Sequence, residues 1–182
     1  MIIGVAGPNA AGKGEVIRYL ADRAYGVLSL SDVLRDALRS EGHAETREKM
    51  IEIGRRFRAK QGPGALAMGI LEKVEPNRNY AIDSIRHPGE VEVLAQSGRP
   101  FTLCWVDADP RVRFERLLER ARPGDPTRFE DFLELESREL ESPASGGQQL
   151  LAVKELATHT LQNDGSVEAL EAQLDRFLAG LP

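Results

Sequence analysis

The chain has 182 residues, 41% of them hydrophobic and 29% charged, which is the length and composition of one globular domain and excludes a disordered chain. Its formal net charge of −5 argues against general nucleic-acid binding, which needs a basic face. The single cysteine, Cys104, excludes an internal disulfide. No apolar run is long enough to cross a membrane, and the first residues carry no basic n-region or cleavage site, so a cytoplasmic protein without membrane contact is expected.

In chain order, Ile2–Ala6 is an apolar, β-rich run and reads as the first strand. Residues 14–24 follow with helical spacing at Val16, Ile17, Leu20 and Ala24. Residues 27–30 read as a second strand, and 32–39 as a short helix with Ser31 or Asp32 at its N-cap. Residues 45–60 form a charged amphipathic helix closed by Gln61-Gly62-Pro63-Gly64, and 65–73 a helix starting just after that proline. Tyr80–Asp83 reads as the third strand. Residues 88–96 read as a helix with proline at its start and Gly98 past its end, and 101–106 (FTLCWV) as an aromatic and β-branched fourth strand. Pro110–Arg120 is a helix with Asp109 as N-cap, broken by Arg122-Pro123-Gly124-Asp125-Pro126. Residues 128–140 are helical, 142–147 a loop and 150–156 helical. His159–Gln162 is a fifth strand and 167–178 a terminal helix.

This alternation predicts an α/β fold: a parallel five-stranded sheet with helices on both faces. Several strands are unbroken apolar runs, as strands buried on both faces should be. Ligands on such sheets bind at the carboxyl ends of the strands, so the residues just after each strand carry the functional reading.

After the first strand comes Gly7-Pro8-Asn9-Ala10-Ala11-Gly12-Lys13-Gly14-Glu15, the G-x-x-x-x-G-K core of a P-loop. Its glycines let backbone N–H groups ring an oligophosphate, the next helix presents its positive end to the same anion, and Lys13 can reach the β- and γ-phosphates. A P-loop usually places Ser or Thr after the lysine as a Mg²⁺ ligand; here Gly14 and Glu15 follow. A carboxylate so near bound phosphate must turn away or meet a cation, and Mg²⁺ must be held another way, for example through water by Asp83. Of the 24 basic residues only five are lysine (Lys13, Lys49, Lys60, Lys73, Lys154). The arginine excess follows either from a GC-rich genome or from local clamps, since guanidinium binds phosphate bidentately. Arg111, Arg113 and Arg122 are expected on a solvated helix face. His43, His87 and His159 are too scattered to form a metal site.

These motifs resemble the adenylate-kinase-like nucleoside monophosphate kinases. The loop matches theirs with glycine after the lysine, and departs in having Glu15 where they carry threonine. Their S-T-G-D-M-L-R stretch is similar to Ser29-Leu30-Ser31-Asp32-Val33-Leu34-Arg35, which implies that Arg35, with Ser31 beside it, clamps an acceptor monophosphate. The family's threonine falls on Leu30, which leaves the acceptor open. Their D-G-F-P-R stretch is similar to Asp83-Ser84-Ile85-Arg86, one residue shorter. This implies Asp83 ordering the Mg²⁺ water shell and Arg86 on acceptor phosphate. Their R-x-x-x-R pair falls on Arg116, implied to stack on the donor base, and Arg120, implied to meet donor phosphates. Arg128 and Arg138 stand for the arginines that close over the transferring group.

Nearly the whole chain also resembles an adenylate-kinase-like group known best from archaea. The match runs through Ser31-Asp32-Val33-Leu34-Arg35, Asp83 to Arg86, Glu136-Ser137-Arg138-Glu139-Leu140 and Asn163-Asp164-Gly165-Ser166. Dephospho-coenzyme A kinase is a further relative. The resemblance implies one P-loop kinase-like domain over 1–182, with an acceptor-binding helical insert at about 31–75 and a short lid at about 121–137. It implies ATP and Mg²⁺ as cofactors, small nucleotide substrates, and a monomer or homodimer. The expected activity is γ-phosphoryl transfer to a nucleoside or deoxynucleoside monophosphate. Dephospho-coenzyme A or another small metabolite as acceptor, and a regulatory nucleotide-binding module with little catalysis, stay open as alternatives.

Overall fold

A computed structural model of the chain describes residues 1–122, 124–140 and 149–181. In chain order its elements are β1 (Ile2–Ala6), α1 (Lys13–Ala21), β2 (Gly26–Ser29), α2 (Leu30–Ser40), α3 (Arg47–Gln61), α4 (Ala65–Leu71), β3 (Tyr80–Asp83), α5 (Pro88–Ala95), β4 (Phe101–Asp107), α6 (Pro110–Arg120), α7 (Phe129–Leu140), α8 (Leu150–Glu155), β5 (His159–Gln162) and α9 (Val167–Ala179). The five strands form one sheet in the order β2-β3-β1-β4-β5, and every neighbouring pair is parallel. This is the α/β fold that the alternation predicts.

The side-chain alternation of the strands sorts the core into two layers. Ile2 and Ala6 of β1, Ile82 of β3, and Leu103 and Trp105 of β4 face a cluster containing Leu30, Leu34, Leu66, Ile70, Leu94 and Val153. Ile3 and Val5, Ala81, and Cys104 and Val106 face the opposite way, against Val16, Leu20, Leu170, Leu174 and Phe177. Helices α1 and α9 therefore cover one face, and α2, α4, α5 and α8 the other. All five residues of β1 are buried because it lies at the sheet centre with a layer on each side. Among the described residues, no helix is long and apolar enough to cross a membrane.

Local signals act mostly where the sequence places them. The Asp109 carboxylate accepts from the Arg111 N–H at 2.8 Å and starts α6. Thr46 and Ser166 accept from the N–H groups of Lys49 and Ala169 at the starts of α3 and α9. The second strand departs by one residue and its helix by two: β2 ends at Ser29, not Leu30, and α2 begins at Leu30, not Asp32, with Ser29, not Ser31 or Asp32, at the N-cap position. Tertiary burial decides this, because Leu30 is fully buried as the first helical residue. Arg113, expected on a solvated face, is instead buried. Its Nε donates to the Ala108 carbonyl at 2.8 Å and its two terminal nitrogens grip Glu136 of α7. Packing of α7 over α6 removes that face from water. The loop expected at 142–147 lies outside the described residues.

Candidate active site

Because β2, β3 and β1 are parallel neighbours, the segments leaving their carboxyl ends lie along one edge of the sheet. The first is the loop between β1 and α1. Gly7 has φ +146°, and a Cβ there would lie 2.1 Å from the Val106 carbonyl oxygen, so the loop starts hard against the β4 backbone. Ala10 (φ +60°) and Gly12 (φ +97°) both take left-handed conformations. Alternating handedness of this kind turns successive amides toward a common concavity. The N–H groups of Asn9, Ala10, Gly12 and Gly14 donate to no described residue. The Lys13 ammonium lies back along the loop, donating to the carbonyls of Gly7 at 2.9 Å and Pro8 at 2.8 Å. Free amides, a helix start and an ammonium together make an anion cradle.

Glu15 meets a cation, as a carboxylate beside such a cradle must: it pairs with Arg18 one turn along α1. Beside Glu15 a groove of about 250 Å³ is lined by Gly12, Arg116, Asn163, Gly165, Val167 and Leu170. Arg116 Nη1 is buried there with no hydrogen-bond partner, 4.0 Å from where a Gly12 Cβ would sit. Four residues along α6, Arg120 donates to both carboxylate oxygens of Asp125, at 2.9 and 3.2 Å, and to Asn9 Oδ1 of the cradle at 3.2 Å. Arg116 and Arg120 are thus both brought to the loop.

A second polar cluster follows β2 and β3, whose ends are in register at Ser29 and Asp83. The hydroxyls of Ser29 and Ser31 are 2.9 Å apart, and Ser29 donates to Ser84 at 3.0 Å. Arg35 Nη1 donates to Ser31 at 2.8 Å and to Asp32 at 2.7 Å. Ser84 has φ +64°, a conformation that costs a non-glycine residue about 1 kcal/mol or more. Asp83 Oδ1 is buried without a hydrogen-bond partner. Arg86 lies in the next turn. Its N–H donates to Glu90 at 2.8 Å, and its carbonyl accepts from the Gln149 N–H at 2.8 Å.

Glu90 is fully buried. Besides the Arg86 N–H it accepts the N–H of His87 at 3.1 Å and the guanidinium of Arg58 on α3 at 2.9 Å. Burial pushes its carboxyl above the ordinary value of 4.5, against the opposing pull of Arg58 and the two amides.

Arg128 and Arg138 are not drawn into either cluster. Their side chains are 72% and 71% exposed and pair with the nearby Glu130 and Glu134. Three residues enter the surroundings of the site without having been singled out for it: Asn163 against Gly12, and the buried partners Arg58 and Glu90. Asn163 had a signal in its motif directly after an apolar strand. Arg58 and Glu90 had none, since each looks like one more charge on an amphipathic helix.

Comparison with known proteins places this site in a family. The AAA_18 family profile, described as an AAA domain, matches residues 3–141. A UPF0200 protein of Sulfurisphaera tokodaii is 30% identical over 177 residues, covering 97% of this chain and 95% of that protein. One from Hyperthermus butylicus is 32% identical over 183 residues, covering 100% and 95%. Among solved structures, TT1252 from Thermus thermophilus superimposes with a TM-score of 0.61 at 22% identity, covering 100% of this chain and 98% of that one. Shikimate kinase from Bacteroides thetaiotaomicron gives 0.61 at 13% identity, covering 98% of each. Gluconokinase from Sinorhizobium meliloti gives 0.52 at 17%, covering 97% and 94%. At these identities the structural likeness speaks for the fold alone, which is that of P-loop kinases. The profile match over residues 3–141 and the nearly full-length sequence matches establish that the chain belongs to the AAA_18 family and to the UPF0200 proteins.

Proposed function

We propose that this protein is a small-molecule phosphotransferase that moves the γ-phosphoryl group of ATP, with Mg²⁺, to a nucleoside or deoxynucleoside monophosphate. One observation carries the reading. An amide-lined anion cradle with its lysine, and an arginine–serine cluster suited to a second phosphate, leave neighbouring strands at one edge of the sheet, with the buried Asp83 oxygen between them.

Phosphoryl transfer asks the protein for position and charge rather than covalent chemistry. The Gly7–Gly14 amides and Lys13 hold the donor β- and γ-phosphates, Lys13 exchanging the Gly7 and Pro8 carbonyls for phosphate oxygen. The donor base enters the groove between Arg116 and Gly165. Arg35, with Ser31, and Arg86 hold the acceptor phosphate, whose oxygen attacks the γ-phosphorus as the bond to the β-bridging oxygen breaks. Arg120 leaves Asp125 to meet the charge that develops. Mg²⁺ supplies neutralisation of the donor phosphates. The unsatisfied Asp83 Oδ1 fits the water shell of such an ion, and no cluster of three or more His, Cys, Asp or Glu among the described residues would bind it without phosphate. Residues 121–137 act as a lid and 41–64 as part of the acceptor insert, closing to exclude water. Arg128 and Arg138 reach the transferring group only in that closed state.

The test is turnover of ATP with Mg²⁺ against a panel of ribo- and deoxyribonucleoside monophosphates, with dephospho-coenzyme A included. Diphosphate formation that Lys13→Ala abolishes supports the reading. Transfer only to dephospho-coenzyme A replaces the acceptor. ATP binding without transfer to any acceptor makes the protein a nucleotide-binding module.

A further inference from the structure

The Asn163-Asp164-Gly165-Ser166 motif after β5 is not accounted for by phosphoryl transfer, yet each residue has a distinct contact. Asp164 accepts the Asp109 N–H at 2.5 Å and the Gln162 side-chain amide at 2.6 Å, tying the loop to the start of α6, the helix that carries Arg116 and Arg120. Gly165 lines the groove and Ser166 caps α9. Asn163 is the buried member, 5% exposed. Its own N–H donates to the Asp107 carbonyl at 2.8 Å, which fixes it to the end of β4. Its side-chain amide donates to the Ala11 carbonyl at 2.9 Å, across 152 residues of sequence.

That last bond acts on the cradle. The Ala11–Gly12 peptide is trans, so its carbonyl and the Gly12 N–H point in opposite directions. Holding the carbonyl toward β5 turns the Gly12 N–H away from β5, toward the hollow of the loop, where it meets no described acceptor. Gly12 must be glycine for the same reason, since a Cβ there would lie 2.0 Å from Asn163 Nδ2.

We infer that Asn163 is a positioning residue for the donor-phosphate cradle: its side-chain amide sets the Ala11–Gly12 peptide so that the Gly12 N–H is presented to the donor's phosphates before they arrive. This rests on the reading of the loop as an oligophosphate site. Preorganised donors of this kind act without reorganisation when the anion binds.

The experiment compares wild type with Asn163→Leu, which keeps the size and removes the donor, and Asn163→Asp, which keeps the shape and reverses the polarity. Calorimetry with ATP and with inorganic tripolyphosphate should show both affinities falling by about tenfold, the worth of one net hydrogen bond. The two probes should fall by the same factor, because the lost contact serves phosphate and not base. Loss for ATP alone would assign Asn163 to the base groove, and loss for neither would assign it to folding; both outcomes overturn the proposal. Two-dimensional amide NMR of the ligand-free protein gives a reading that needs no nucleotide. The Gly12 cross-peak should shift in both variants while those of α9 hold, and an unmoved Gly12 peak overturns the proposal. Wild type binding neither probe would refute the donor reading, and the NMR arm would still decide whether Asn163 sets the peptide.

Discussion

At the scale of single residues, the two glycines flanking Lys13 and the one that opens the loop are not equivalent. A methyl group at Gly7 would meet the Val106 carbonyl, which cannot move without β4, and φ there is +146°. At Gly14 nothing lies within 4 Å of an added Cβ, and the residue sits in the first turn of α1. Gly7→Ala should therefore destabilise by about 2–4 kcal/mol, while Gly14→Ala should be neutral or stabilise by up to about 1 kcal/mol through helix propensity. Urea denaturation separates the two. Glu15 makes a different case. Because its pair with Arg18 is exposed, Glu15→Thr should barely change stability. It should strengthen Mg²⁺-dependent ATP binding, since it removes an anion beside the cradle and adds the hydroxyl that nucleoside monophosphate kinases carry there. Calorimetry with and without Mg²⁺ measures this, and an unchanged affinity would show that Glu15 stays turned toward Arg18 in the bound state.

At the scale of elements, two buried ion pairs decide how helices meet the site: Arg58–Glu90 joins α3 to the turn carrying Arg86, and Arg113–Glu136 joins α6 to α7. Removing one partner of such a pair strands the other charge, at a cost of about 3–5 kcal/mol. For Glu90 the cost depends on pH. Its folded-state pKa is raised, so the native state holds its proton more tightly than the unfolded chain, and this group's contribution falls as pH rises from the ordinary value of 4.5 through the raised one. Arg58→Met deletes the main charge opposing that rise. The stability gap between wild type and Arg58→Met should be small near the ordinary value of 4.5 and widen as pH rises above it, as measured by urea denaturation at a series of pH values. Glu136→Leu should lower stability by stranding the Arg113 guanidinium. Neither pair was legible in the sequence, because charge spacing along one helix gives no information about which distant helix supplies the partner.

At the scale of the whole molecule, Arg120 of α6 links three regions, holding Asp125 of the segment proposed as a lid while touching Asn9 of the cradle. Under the proposed function, donor phosphate competes with Asp125 for that guanidinium. Asp125→Asn should weaken this competitor and raise ATP affinity several-fold in calorimetry, while Arg120→Ala should lower it. ATP with an accepted monophosphate should slow amide hydrogen exchange in residues 124–137 and 41–64, and ATP alone should protect mainly the cradle. Equal protection by ATP alone would place closure before acceptor binding.

Much that is local could be read from the sequence: three of five strands to the residue, the order of helices, the cap at Asp109, the proline that starts α5, and the loop whose glycines and lysine announce an anion site. Backbone conformation and burial on both faces of a parallel sheet leave their mark within a few consecutive residues, and these can be read in one dimension. The tertiary structure alone decided that Leu30 starts a helix, that Arg113 is buried, that Arg128 and Arg138 stay at the surface, and that Glu90 and Asn163 hold the two halves of the site. The outcomes at Arg113, Glu90 and Asn163 depend on partners 23, 32 and 152 residues away, brought near only when the sheet orders its strands as β2-β3-β1-β4-β5. A charge or an amide becomes a clamp through the group it meets, and the chain order does not specify that meeting.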